Sequence, residues 1–297
     1  MTPSPEPFEF RTPAGLRLRG VIWGEAGRDL VFTHGNGFTA QCYAPLLAPL
    51  VPRVRVHGVN LRGHGGSDVP PEFPDWDGPY DDLVAYLRER CAAPAILAGH
   101  SYGATLSLRV AAEHPELVGG LLLLEPLVRG TRQAPWPSLD SGPRRDFIQR
   151  AAERRERWAS RDEAAAWLRQ RGSYASWAAA PFAAFVASGL ADRPDGGVAL
   201  ACPPWLEVRI YLTPPDVAVF HWAERIRQPA VFLRGRESIP VDAQGLAELA
   251  ALIPISVVMT VRGTHTFPME HPAEAGRALS SALDVVLRAE GGGTVQL

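Results

Sequence analysis

The hydrophobic positions of this chain fall into short runs separated by helix-like stretches. Residues 8–10 and 16–23 alternate apolar and polar side chains on either side of Ala14-Gly15, which predicts two strands joined by a turn. Beyond them the runs are unbroken: LVFTHG (30–35), VRVHGVNLRG (54–63), AILAGHS (95–101), GGLLLLEP (119–126), AVFLRG (230–235) and ISVVMTV (255–261). Helical patterns lie between them near 40–50, 80–92, 102–114, 243–252 and 272–289. A strand without polar alternation is buried on both faces, and strands that alternate with helices feed a parallel sheet. The expected class is α/β, a mostly parallel doubly wound sheet.

That alternation breaks once, between about 127 and 225, where no convincing buried strand appears. The stretch holds six of the eight tryptophans: Trp136, Trp158, Trp167, Trp177, Trp205 and Trp222. It predicts a helical insertion at 127–225, after the strand ending at Glu125, covering one end of a core made of 1–126 and 226–297. Only the tail GGGTVQL looks flexible.

Composition changes this picture little. At 46% hydrophobic and 21% charged, the chain has ordinary globular usage, and a net charge of −2 offers no field for nucleic acid or an anionic membrane. All 30 basic residues are arginines, which fits a bias in codon composition. Where they cluster, in RRDFIQRAAERRERWASRDEAAAWLRQR, Asp146, Glu153, Glu156, Asp162 and Glu163 are interleaved with them, as on a solvated helix face. Cys42, Cys91 and Cys202 are too sparse for a disulfide framework or a zinc site. MTPSPEPFEF lacks the basic and apolar regions of a secretory signal, so a cytoplasmic location is expected.

The chemistry gathers at strand ends. GHSYG (99–103) lies between a buried strand and a helix, where a Gly-x-Ser-x-Gly turn lifts Ser101 above the sheet near the positive end of that helix. HGNGF (34–38) ends another strand. Alone it is a glycine-rich turn; with GHSYG it becomes a loop whose Asn36 N–H, or Gly37 N–H, would join Tyr102 N–H in holding an oxyanion. A serine hydroxyl needs a neutral imidazole to take its proton. Among eight histidines, His265 alone follows the final strand on a loop and comes after the serine. His34 and His100 lie inside the two motifs, and His64 shows no apparent partner.

With these residues in view, the chain resembles the α/β-hydrolases over nearly its whole length. HGNGF resembles the family's oxyanion loop, NLRGHGGSD (60–68) its Asp-x-Arg-Gly-x-Gly-x-Ser segment, GHSYG its nucleophile elbow and GTHTFPMEHP its histidine loop. DRPDGGVALACPPWLEVRIY (192–211) resembles cap sequences of bacterial carboxylesterase-like members, so the insertion is expected to be the cap. Two positions depart from the pattern. Asn60 stands where an Asp usually opens the second motif, and reads as a structural change on a loop. Ser238 stands where RGRESIPV should carry the acid that orients the histidine.

Three carboxylates remain for that duty. Glu125 ends a buried strand, a rigid place, and resembles the acid of certain haloalkane dehalogenases in position. Glu237 adjoins the vacant position and is the alternative acid. Asp242 reads as a helix N-cap. The resemblance implies a serine hydrolase that cleaves a carboxylic ester through an acyl-enzyme, without metal or organic cofactor. Its expected substrate is a small molecule with an apolar group, and Phe38, Tyr102 and Phe267 adjoin the motifs closely enough to line the pocket. A C–C bond hydrolase or acyltransferase would use the same residues, and a non-catalytic ligand-binding protein on this scaffold is the alternative outside enzymes.

Overall fold

The computed structural model describes residues 5–133, 142–214 and 218–290. Trp136 and the GGGTVQL tail lie outside the described residues.

Six strands come first: β1 (Glu6–Arg11), β2 (Arg17–Trp23), β3 (Arg28–Thr33), β4 (Val54–Val59), β5 (Ala95–His100) and β6 (Val118–Leu124). Helix α1 (Ala44–Leu47) follows β3, α2 (Asp77–Arg90) follows β4, and α3 (Tyr102–Glu113) follows β5. After the insertion, β10 (Ala230–Gly235), α9 (Ala243–Ala251), β11 (Ser256–Val261), α10 (Phe267–Glu270) and α11 (Pro272–Glu290) complete the sheet and its cover. The sheet runs β1-β2-β4-β3-β5-β6-β10-β11. Only the β1–β2 and β2–β4 pairings are antiparallel; the others are parallel.

Strand residues alternate between two apolar layers, as the two-residue period of a pleated sheet requires. On β5, Ala95 and Leu97 join the layer containing Leu83, Leu87, Leu106 and Phe220, whereas Ile96 and Ala98 join the one containing Leu46, Leu279 and Leu283. Both layers exclude water, so the central strands carry no polar face and read as continuous apolar runs. No helix among the described residues is long and apolar enough to cross a membrane.

Between β6 and β10 the described chain forms α4 (Gly142–Ala152), β7 (Arg157–Trp158), α5 (Arg161–Leu168), α6 (Ala179–Ser188), β8 (Leu190–Asp192), β9 (Val198–Leu200), α7 (Pro204–Leu212) and α8 (Ala218–Ala223). The segment is mostly helical, but it also contains a small antiparallel sheet, β7-β9-β8. Strands of two or three residues complete too little of a period to be seen in a hydrophobicity pattern. The insertion shares the layers of the main sheet. Leu206, Ile210 and Phe220 belong to one, and Trp158, Trp177 and Phe185 to the other.

Candidate active site

Among the described residues, only two without a glycine backbone have positive φ: Ser101 and Glu125, both at 52°. Such a conformation costs on the order of 1–3 kcal/mol and persists only where surrounding structure imposes it. At Ser101 the constraint is close packing of β5, α3 and β3. A Cβ on Gly99 would lie 2.5 Å from the Gly103 carbonyl carbon, and one on Gly103 would lie 2.3 Å from the Thr33 carbonyl oxygen. The Ser101 N–H donates to the Leu124 carbonyl at 2.9 Å, which ties the turn to β6.

His265 sits between β11 and α10. Its Nε2 is 3.0 Å from Ser101 Oγ, and its Nδ1 is 2.8 Å from Glu125 Oε2. Glu125 is fully buried. Burying a carboxylate is costly unless donors surround it. Its Oε1 accepts from Gly235 N–H at 2.6 Å, and its Oε2 accepts from the Ser238 hydroxyl at 2.5 Å as well as facing the imidazole. The β6–β10 register creates this meeting. Leu124 pairs with Leu233, so Glu125 emerges beside the end of β10. Ser238 therefore touches the carboxylate, and its hydroxyl donates there rather than to the ring.

Glu237 takes a different place. It is exposed, and its Oε2 accepts from Gly263 N–H at 2.7 Å, bracing the loop before His265. Asp242 caps α9, accepting from Gly245 N–H at 2.6 Å. Glu270 braces the histidine loop from the other side, accepting from Thr264 N–H, the Thr264 hydroxyl and the Thr266 hydroxyl. Burial works to raise the Glu270 carboxyl, yet these donors hold it below its ordinary value.

The HGNGF loop is fixed by histidines. Gly37 N–H donates to His64 Nε2 at 3.1 Å, and Leu61 N–H donates to His34 Nε2 at 3.0 Å. Gly37 N–H is thus already engaged, which removes it as a free oxyanion donor. His64, without an apparent partner in the sequence, has one on each ring nitrogen, because its Nδ1 meets the Arg62 carbonyl at 3.0 Å. The N–H groups of Asn36 and Tyr102 make no hydrogen bond among the described residues. Asn60 accepts from Ala40 N–H at 2.8 Å and donates to the Gly65 carbonyl at 3.2 Å; an aspartate could not make the second bond.

A second layer of contacts supports the base. His100 Nε2 donates to the His265 carbonyl at 2.8 Å, while its Nδ1 accepts from Tyr43 at 2.7 Å. Burial, with the nearby His265, pushes the His100 pKa well below the ordinary histidine value. Burial likewise lowers His34 strongly and brings His64 down to about 4. These imidazoles are neutral, as acceptors of N–H and O–H bonds must be. Nothing local in the sequence singled out Tyr43 or Glu270, because their partners are remote or belong to the backbone.

The aromatic residues beside the motifs divide. Phe38 lines a cavity of about 450 Å³ together with Asn36 and residues of the insertion. Phe267 and Tyr102 do not line it. Phe267 starts α10 facing the apolar layer and is fully buried, and Tyr102 packs edge-on against Trp76 at 4.5 Å. Ser101 and His265 also lie outside the cavity lining, whereas Asn36 and Phe38 of the HGNGF loop belong to it. Among the described residues, no group of three or more His, Cys, Asp or Glu side chains could hold a metal.

Comparison with known proteins agrees with this architecture. The model of the alpha/beta hydrolase family matches residues 30–278, and the chain belongs to that family. It is 33% identical over 100 residues to 2-(acetamidomethylene)succinate hydrolase of Mesorhizobium japonicum, covering 34% of this chain and 36% of that protein. It is 36% identical over 111 residues to pimeloyl-[acyl-carrier protein] methyl ester esterase of Chromobacterium violaceum, covering 37% and 42%. The matched stretches thus span less than half of either relative. The crystal structure of E-2-(acetamidomethylene)succinate hydrolase superposes with a TM-score of 0.78 at 24% identity, over 94% of this chain and 100% of that one. A thioesterase domain from the curacin biosynthetic pathway superposes at 0.75 with 17% identity, over 94% and 99%. These superpositions describe a shared fold.

Proposed function

We propose that this protein is a serine hydrolase that cleaves a carboxylic ester through an acyl-enzyme. The observation that carries the reading is the hydrogen-bonded series from Ser101 Oγ through His265 to Glu125, at 3.0 and 2.8 Å. His265 Nε2 takes the Ser101 proton as Oγ attacks the ester carbonyl, and Glu125 offsets the imidazolium charge that forms. Asn36 and Tyr102 N–H groups, both without an internal partner, receive the tetrahedral oxyanion. Collapse expels the alcohol, which takes the proton from His265. Water, deprotonated by the same ring, then releases the acid and restores Ser101.

Residues 127–225 serve as a cap over this centre in that reading, and the aromatic wall beginning at Phe38 receives an apolar part of the substrate. The resemblance to a methyl ester esterase favours an ester over a C–C bond. Three free cysteines suit a reducing compartment such as the cytoplasm.

The test combines labelling with turnover. A fluorophosphonate probe should modify Ser101, and p-nitrophenyl esters should be hydrolysed with a burst of p-nitrophenol. Ser101→Ala should abolish both. A wild-type protein that neither reacts with the probe nor hydrolyses any ester of the series would overturn the proposal in favour of a binding protein on this scaffold.

A further inference from the structure

The cavity beside the HGNGF loop carries charges that ester cleavage as such does not use. Its walls are largely aromatic, with Phe38, Trp167 and Tyr174 among them, yet Arg150, Arg154 and Arg171 also face it. One carboxylate, Glu207, shares the lining and is already committed. Arg154 donates to it at 2.5 Å, and Tyr211 also donates to it. Arg171 lies over the Trp167 ring at 4.2 Å and donates to the Trp167 carbonyl, so no acid answers its charge. Arg150, an exposed residue, makes no side-chain hydrogen bond or ion pair among the described residues. Two guanidinium charges thus stand uncompensated at an apolar cavity.

Asn36 supplies an independent observation. It is 6% exposed and lines the same cavity. Its Nδ2 donates to the Glu207 carbonyl at 2.9 Å, which fixes the amide orientation and leaves Oδ1 buried without a donor. Native proteins rarely leave a buried acceptor unmatched, and a bound ligand can supply the missing donor.

We infer that this cavity binds the far end of an anionic substrate, an ester with one arm ending in a carboxylate or phosphate held by Arg150 and Arg171. Either group offers paired oxygens that accept the parallel N–H bonds of a guanidinium fork. The aromatic walls cover the intervening chain, and Asn36 Oδ1 accepts from an N–H or O–H along it. The arginines of the insertion then divide by position. Arg150 and Arg171 meet substrate, Arg154 is held by Glu207, and Arg155 and Arg161 are paired with Glu163 and Asp192.

This inference rests on the hydrolase reading, and the experiment separates the two. It compares kcat/KM for the glutarate half-ester of p-nitrophenol with that for neutral p-nitrophenyl valerate. Wild-type protein should favour the anionic ester at least about tenfold, with the ratio shrinking in 0.5 M NaCl. Arg150→Gln should lower the ratio at least about threefold, and Arg150→Glu should bring it below one. Arg277→Gln, at an exposed position of α11 outside the cavity lining, should leave it unchanged and so exclude a general field effect. With valerate hydrolysis as reporter, glutarate and propyl phosphate as competitors distinguish the two anions, and inhibition by either that Arg171→Gln relieves supports the site. Turnover of both esters at a ratio near one, insensitive to Arg150, overturns this inference alone. Absence of all turnover and of Ser101 labelling overturns the hydrolase reading beneath it.

Discussion

Glu125 Oε2 receives two groups at once, the imidazole of His265 and the hydroxyl of Ser238. Position 238, where the family resemblance leads one to expect an acid, therefore carries a donor to the carboxylate that stands elsewhere. Removing the charge by Glu125→Gln should lower kcat on p-nitrophenyl esters by at least about a hundredfold, because the imidazolium loses its counter-charge. Ser238→Asp in the otherwise native chain should also harm the protein. Two carboxylates in hydrogen-bond contact cannot both ionise, and one must take up a proton. Combined with Glu125→Gln, the same Ser238→Asp should recover roughly tenfold of the lost rate, since a single carboxylate then faces the ring. Near-native turnover of Glu125→Gln beside a crippled Glu237→Gln would place the acid at Glu237 instead.

At the scale of elements, the strand-turn-helix at Ser101 depends on the closeness of β5, α3 and β3. The obstacles to a side chain at Gly103 are backbone atoms, the Thr33 carbonyl oxygen at 2.3 Å and its carbon at 2.5 Å, so no rotamer change can relieve the clash. Gly103→Ala should destabilise by about 3 kcal/mol or more, read as a lower urea midpoint with an unchanged slope. Gly142→Ala, with nothing within 4 Å of the added carbon, should leave the unfolding free energy within about 0.5 kcal/mol of native. A native-like Gly103→Ala protein would show that the elbow has slack. The sequence made this element legible because its information is local: an unbroken apolar run, two small residues around a serine, then a helical period. The eight-stranded sheet was legible for the same reason. The strands of the insertion were not, being two or three residues long. Long-range bonds were hidden too. That Glu125 reaches Gly235 N–H follows from the β6–β10 register, and that Gly37 N–H is engaged follows from His64 lying 27 residues away in the chain. Phe267 and Tyr102 stay out of the lining of the cavity beside Phe38 for a related reason. Nearness to a motif along the chain fixes the backbone position, while the layer beneath decides which way a large ring turns.

Over the whole molecule, several neutral histidines tie separate elements together, and this gives stability a pH dependence of known sign. His34, His64 and His100 are all buried, and burial lowers each from the ordinary value of 6.5, His64 to about 4. Between those values the unfolded chain binds protons that the native state refuses, so stability rises with pH and falls as the solution is acidified. The window opens near pH 6.5 and extends to about 4 for His64. One proton across that interval amounts to about 3 kcal/mol, and the other two histidines add to it. Paired carboxylates such as Asp68, which its hydrogen bonds from Arg17 hold below the ordinary value of 3.8, contribute only at lower pH. Unfolding free energies from urea titrations should therefore fall steadily from pH 7 to 5, with a slope above about 1.4 kcal/mol per pH unit once the window is entered. His64→Gln should flatten that slope by about one proton while keeping a side-chain oxygen to accept from Gly37 N–H. Protonating His64 Nε2 also removes the acceptor that holds the HGNGF loop, but in the folded protein this happens only as the pH nears about 4, below the range in which stability first declines. A stability that stays constant between pH 7 and 5 would mean that these rings are protonated in the folded protein, in conflict with the N–H groups that His34 and His64 accept.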